Sequence, residues 1–389
     1  MERSVDRIVP IDALRGLALL GVLIVNLDTE FRVTFYEQFS PYYTTVADRL
    51  IRAVIGFLVE FKAITIFSML FGVGLAIQAE TLVRRGSVMR LLVRRLLVLL
   101  AFGLVHLLLI WNGDILTEYA IAGLVALPFI LGPPKLTLIA SLAALLIFLL
   151  LPSFPLPLAF PSPNWIARHI AEARHVYGKG SLVDVLRFRV AEVPSIGFFL
   201  ISIFPRTVSL ILFGAWTWRS GVIRNIGGHA TLLRNVGWAG LVAGLLFCWL
   251  DGAGIPAPLP LPRTIHLIVD VFAPIVLAIG YSALALRLFD RPSTAVVAVA
   301  APVGRMAFTN YITQSVILGL LFYGYGFGLL GRVGVSTGAA ISIAIFAAQA
   351  VASRWWLRRH QFGPLEWLWR TGMYGRQQPW LKRAQGRAA

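Results

Sequence analysis

An all-α, polytopic transmembrane helix bundle of about ten spans is the fold the sequence predicts, and three observations predict it. Of 389 residues, 58% are hydrophobic and only 14% charged, and the mean hydropathy of +0.78 lies far outside the range of a soluble domain. The apolar residues fall in long runs, not in the short alternating stretches of an outer-membrane barrel. Each run approaches the roughly 20 residues a helix needs to cross a hydrocarbon core about 30 Å thick.

In chain order the spans are expected at 10–27, 53–78, 92–111, 115–131, 136–152, 194–218, 235–250, 265–287, 301–323 and 338–356. Asp12 and Arg15 interrupt the start of the first, and no small-residue cleavage site follows it, so it reads as a retained span and not as a signal peptide. With the N-terminus placed in the cytoplasm, the loops on that side carry 21 Lys and Arg residues and those on the other side ten. The positive-inside rule then selects two cytoplasmic termini and an even number of spans. Much of the net charge of +17 follows from that asymmetry, so nucleic-acid binding is not expected. The single cysteine, Cys248, sits in an apolar run, which excludes an intrachain disulfide and points away from a cysteine-based metal site; no metal is expected.

The predicted organisation is an N-terminal bundle over 1–152 (spans 1–5) holding the candidate active site, an extracytoplasmic loop over 153–193, a C-terminal bundle over 194–376 (spans 6–10) and a basic cytoplasmic tail over 377–389. The loop opens with "PSFPLPLAFPSPNW" and continues as a charged, helix-compatible run; it reads as a lid or as a plain connector. A second proline run, "IPAPLPLPR" at 255–263, lies on the same face.

Ionisable groups at membrane depth are costly unless partnered or hydrated, so they mark candidate sites. Asn26 and Asp28 close span 1, Lys62 lies early in span 2, His106 sits about five residues below the end of span 3, Asp114 caps the turn above it, and Asp270 enters with span 8. At 1.5 Å per residue these groups converge roughly 7 Å beneath the outer surface. Each also has a quieter reading. His106 can bond a neighbouring carbonyl, Asp114 in "WNGDIL" can cap span 4, Lys62 can snorkel to the interface, Asn26 can be a C-cap, and Trp111 suits an interfacial belt. Near the inner surface, Asp12 and Arg15 share a helix face and are expected to pair. Arg206 in "FPRT" marks a broken helix at a cavity wall. Asn310 and Gln314, one turn apart, either bond between helices or line that cavity. The glycines of "FGVGLA" suit close helix packing and do not form a phosphate loop.

The stretches "RIVPIDALRGLALLGVLIVNL" (7–27), "FSMLFGVGLAI" (67–77), "RRLLVLLAFGLVHLLLIWNGDILTEYAIAGL" (94–124) and "FGPLEWLWRTGMYG" (362–375) together resemble the bacterial YeiB family. The first is also similar to the opening of heparan-glucosaminide N-acetyltransferase, with which that family is grouped as a transmembrane acyltransferase superfamily. The resemblance implies acyl transfer across a bacterial inner membrane, from cytoplasmic acyl-CoA or acetyl-CoA to an outer sugar, glycan or lipid. Asn26 matches an active-site Asn at the end of the transferase's first span. The transferase's catalytic His follows that span, whereas residues 28–52 here contain none, and His106 stands in by depth and chemistry.

On this expectation His106, oriented by Asp114, acts as general base, and Asn26 or Lys62 stabilises the oxyanion. Arg84, Arg85, Arg90, Arg94 and Arg95 meet the CoA phosphates, with Arg15 and Arg206 along the pantetheine path. Asp28, Trp111, Asn112, Asp270, Asn310 and Gln314 line the acceptor side. Expected partners are membrane lipids, a small-molecule or glycan acceptor, and a second copy in a homodimer. The alternatives are a transporter of a small solute or lipid head group through a midplane cavity lined by Arg206, Asn310 and Gln314, and a scaffold without chemistry.

Overall fold

Apolar runs this long bury their backbone hydrogen bonds only as helices, and helices are what the chain forms. The computed structural model describes residues 8–39, 45–83, 88–151, 161–252, 262–290 and 294–382. Its α-helices are α1 (Val9–Asn26), α2 (Val46–Leu58), α3 (Lys62–Val83), α4 (Val88–Val105), α5 (Leu116–Leu131), α6 (Pro134–Leu150), α7 (Pro163–Lys179), α8 (Leu182–Arg219), α9 (Ala230–Asp251), α10 (Arg263–Phe289), α11 (Ala295–Arg305), α12 (Ala307–Phe322), α13 (Val335–Arg359) and α14 (Pro364–Tyr374). Among the described residues, extended pairing is limited to an isolated bridge between His360 and Leu381. Among the described residues, seven helical stretches are long and apolar enough to cross a membrane, eight if the bent pair α11 and α12 is one span, and α5 and α6 are shorter apolar helices. The chain is thus a multi-pass helical membrane protein.

Three predicted spans differ in detail. The segment 53–78 starts earlier and breaks between α2 and α3, where Phe61 takes a left-handed φ of 59°. The break frees carbonyls at the end of α2, and Lys62 turns back to cap them, its Nζ donating to the Gly56 carbonyl at 2.8 Å. The segment 301–323 bends by 82° between α11 and α12. Pro302 removes a backbone donor near the end of α11, and the restart of α12 is capped from outside its own helix: Glu366 accepts from the Phe308 and Thr309 amides at 2.8 and 3.1 Å. The "GPLEW" motif therefore supplies an N-cap for a neighbouring helix. Burial raises the Glu366 carboxyl above its ordinary value, against the pull of the Thr309 hydrogen bonds.

The third difference concerns the predicted loop. Residues 152–160 lie outside the described residues. Beyond them the segment is α7 followed by the first turns of α8, a 38-residue helix that begins in a Ser181/Asp184 capping box and runs through Pro194 and Pro205. Reading Pro194 as a boundary hid this continuity, because proline inside a membrane helix is tolerated where neighbours satisfy the freed carbonyls.

The two larger hydrophobic cores draw on residues from either side of the 153–193 segment. Glycine makes the tightest crossings. Gly16 lies on the Ala300 carbonyl and Gly304 on that of Asp12, closing α1 on α11; Gly72 lies on Ile211 and Gly214 on Met69, closing α3 on α8. A Cβ at any of the four would collide with backbone, which is the close packing expected of "FGVGLA".

Candidate functional site

α1 and α4 terminate at the same end of the bundle and in the same way. α1 passes into a π-helical turn, Leu27–Phe31, and α4 into another, His106–Ile110. A π turn inserts a residue and re-aims the side chains that follow. Phe31 from the first meets Trp111 after the second at a ring-centroid distance of 4.8 Å, pinning the two ends together. Gly113 allows the chain to turn there, since a Cβ would strike both the Trp111 ring and the Glu30 carboxylate.

That turn delivers Asp114 to His106. His106 Nδ1 and Asp114 Oδ1 are 2.8 Å apart, with both side chains fully buried. The carboxylate also accepts from the Leu116 amide at 3.1 Å and the Thr117 amide at 2.7 Å, capping the first turn of α5. Capping and orienting are thus done by one group. A carboxylate already receiving two N–H donors holds the proton on Nδ1, which leaves Nε2 as the imidazole's basic nitrogen. Nε2 has no hydrogen-bond partner among the described residues. Tyr311 (5.2 Å) and Trp111 (6.1 Å) flank the ring.

A second buried layer lies above the dyad. Glu192 of α8 accepts from Asn112 Nδ2 at 2.5 Å and the Tyr177 hydroxyl at 2.7 Å, and contacts His169 Nε2 at 2.6 Å. Burial, reinforced by the Glu192 charge, raises the Tyr177 phenol well above its ordinary value. One turn before Glu192 stands Arg189, with no exposed surface. The cap over this layer is α7, tied to the segment after α1 by Arg174, whose guanidinium binds Glu37 through Nε at 3.0 Å and Nη2 at 2.5 Å. Burial alone would raise the Glu37 carboxyl; the Arg174 hydrogen bonds and charge outweigh it and hold the group below its ordinary value.

Of the sequence-predicted residues, the structure brings together His106, Asp114, Trp111 and Asn112. Asn26 is half-buried at the end of α1 without a hydrogen bond to the dyad. Asp28 stays at this end but pairs with Arg32 (3.2 Å) and Arg52 (3.6 Å). Lys62 does not reach His106: it serves the α2–α3 break, and its electrostatic neighbours are Cys248, Glu60 and Asp251. It also edges an apolar cleft of about 290 Å³ between α1, α2, α3 and α10 whose lining includes neither His106 nor any arginine. Asp270 is exposed on α10, near His266. Asn310 and Gln314 bond between helices, Asn310 to Val303 O and Ser353, Gln314 to Gln349.

At the opposite end Arg15 pairs with Asp12 at 3.0 Å. Arg95 is 7% exposed, lies 4.5 Å over the Trp369 ring and leaves Nη1 without a partner. Arg90 and Arg94 are exposed, and Arg84 and Arg85 lie outside the described residues. Arg206 donates to Thr65 Oγ1 at 2.7 Å and Phe61 O at 3.3 Å, bracing the break before α3. Among the described residues no three His, Cys, Asp or Glu side chains cluster in a way that could hold a metal.

Sequence reasoning missed Glu30, His169, Tyr177, Arg189 and Glu192. The available signal was helical spacing: His169, Ala173 and Tyr177 share one face of α7, and Arg189 and Glu192 one face of α8. The assumption that 153–193 was loop hid both faces.

The region from 217 to 376 matches a family model described as "Protein of unknown function (DUF418)". The chain is 35% identical to "Uncharacterized protein YxaH" of Bacillus subtilis (strain 168) over 98% of this chain and 97% of the relative. It is 29% identical to "Uncharacterized protein YeiB" of Escherichia coli (strain K12), over 95% of this chain and 96% of that protein. No solved structure matches it. With end-to-end similarity at that level, the chain belongs to the YeiB-like family that carries the DUF418 region.

Proposed function

We propose that this protein is an acyltransferase of the bacterial inner membrane, moving an acyl group, acetyl in the simplest case, from cytoplasmic acyl-CoA to a sugar, glycan or lipid acceptor outside. In this reading both termini are cytoplasmic, the chain crosses ten times, and the dyad end of the bundle faces outward. One observation carries it: a fully buried His106 whose Nδ1 is fixed by Asp114 and whose Nε2 is left without a partner. A merely structural histidine would satisfy both nitrogens. This one has the arrangement of an oriented general base.

His106 Nε2 would take the proton of an acceptor hydroxyl as its oxygen attacks the thioester carbonyl. Asp114 would stabilise the imidazolium, and His106 would return the proton to the departing thiolate as the carbon–sulfur bond breaks. At the other end, the unpartnered Arg95 Nη1 suits a phosphate oxygen of the donor. Arg95 and His106 lie eleven residues apart in sequence, on the order of 16 Å along the helix at 1.5 Å per residue. Asn310 and Gln314, both on α12, are bonded to α11 and α13, which counts against them as walls of the midplane cavity of the transport reading.

Purified protein is expected to be stabilised by acetyl-CoA as RT ln(1 + [L]/Kd) and to transfer label from acetyl-CoA to an outer-leaflet glycan or lipid fraction. His106→Ala should lower turnover roughly 10²–10⁴-fold while keeping the acetyl-CoA shift. Wild-type turnover in that variant, or no shift at saturating donor, would overturn the reading.

A further inference from the structure

The layer above the dyad contains a charge that forms no ion pair among the described residues. Arg189 is completely buried, and its Nε, Nη1 and Nη2 all lack a well-formed hydrogen bond among the described residues. Its expected partner would be Glu192, one turn along α8. That carboxylate instead turns to Asn112, Tyr177 and His169. What surrounds the guanidinium is aromatic: the Tyr323 ring centroid lies 5.9 Å away, and the Tyr325 hydroxyl approaches the cation, interacting with it electrostatically and through a weak hydrogen bond. One cation–π contact and one phenol do not repay burying a guanidinium that carries five donors. Packing does not account for it either, since an apolar side chain of the same length would fill the space without the charge.

We propose that Arg189 is the anchor of an oxyanion-binding site, in which its planar fork takes a phosphate or carboxylate group of an extracytoplasmic ligand. With Glu192 turned away, a pair of acceptor oxygens facing its fork is what Arg189 lacks, and the guanidinium geometry matches a bidentate oxyanion. The phenols of Tyr177, Tyr323 and Tyr325 wall the site. Access follows from the cap: α7 buries only Ala173 and Tyr177 among its 17 residues, so lifting it exposes little of the core. The Asn112–Glu192 bond joins this chamber to the turn that carries Asp114, so a ligand held by Arg189 lies over the dyad. The extracytoplasmic placement rests on the orientation adopted above; the unmatched charge does not.

The test is thermal unfolding of the full chain in dodecyl maltoside without any acyl donor, so that failure of the acyl-transfer chemistry leaves it unaffected. Sodium phosphate is titrated against sodium chloride at equal ionic strength, and in a second arm dihexanoyl-phosphatidylglycerol against the uncharged diacylglycerol of the same chains. A saturable upward shift with inorganic phosphate assigns a free oxyanion; a shift with the phospholipid alone assigns a lipid head group; either supports the site. Arg189→Met should lose the shift and, relieved of an unpaired buried charge, unfold at a higher temperature than wild type without ligand. Arg189→Lys, keeping the charge but not the fork, should bind roughly tenfold more weakly. No shift with either probe, a shift retained in Arg189→Met, or an Arg189→Met protein that melts below wild type or fails to fold would overturn the proposal.

Discussion

Two buried polar networks in this molecule look alike in composition and differ in how completely they are satisfied. Between α12 and α13, Asn310, Thr313, Gln314, Gln349 and Ser353 bond one another and nearby carbonyls: Gln349 alone accepts from Gln314 at 2.8 Å and donates to Asn310 O at 3.0 Å and Thr313 Oγ1 at 2.9 Å. At the end formed by α1, α4, α7 and α8, the His106 Nε2 and the whole Arg189 guanidinium are left over. A closed set of hydrogen bonds is a strut, since nothing in it is available to a ligand. A set with orphaned donors and acceptors is destabilising unless something outside the chain completes it. The first network therefore reads as architecture and the second as a site.

The sharpest way to break this distinction is to alter the orienting member of the open network. Asp114→Asn keeps a cap for α5 but no longer holds the proton on Nδ1, so turnover in the transfer assay should fall roughly 10²-fold or more with little change in melting temperature. Equal loss of stability and activity would make Asp114 a cap and nothing else. The converse experiment targets the closed network. Gln349→Ala should cost about 2 kcal/mol of stability, read as a lower midpoint in denaturant, and leave turnover unchanged, because it strands the buried Gln314 amide. The smallest effect concerns the cap over the open network. With its carboxyl held below the ordinary value of 4.5, Glu37 contributes fully to α7 docking above that value, and the contribution is lost as pH falls through the lowered one. Amide exchange in α7 should accelerate on acidification, and Glu37→Gln should show the faster exchange already at neutral pH. Exchange in α12 and α13 should not respond to either change.

How far the sequence could be read depends on the kind of interaction involved. The predicted apolar segments are all helical, two of them broken into a pair of helices, because a run of about 20 apolar residues has one economical conformation in a bilayer and no tertiary partner is needed to see it. The 82° bend at α11–α12 was not visible, since the carboxylate that caps the restart, Glu366, lies some 58 residues later. The dyad was legible for a local reason: His106 and Asp114 are eight residues apart on either side of one turn. Depth along the membrane normal, which groups Lys62 with it, says nothing about which way a helix faces, and one-turn spacing does not decide whether Asn310 and Gln314 meet a cavity or a helix. Their destinations were fixed by a helix break and by α13.

By itself, then, the sequence determined the membrane, the helices and the one histidine–carboxylate pair that a single turn could build, all consequences of hydropathy and short-range spacing. Only the tertiary structure decided that α7 and α8 close over that pair and that Glu192 turns away from Arg189 toward Asn112, Tyr177 and His169. The reason is geometric: which buried polar groups are satisfied depends on helix rotation and crossing. Those are set by packing between segments far apart in the chain, such as the glycine contacts of α3 on α8.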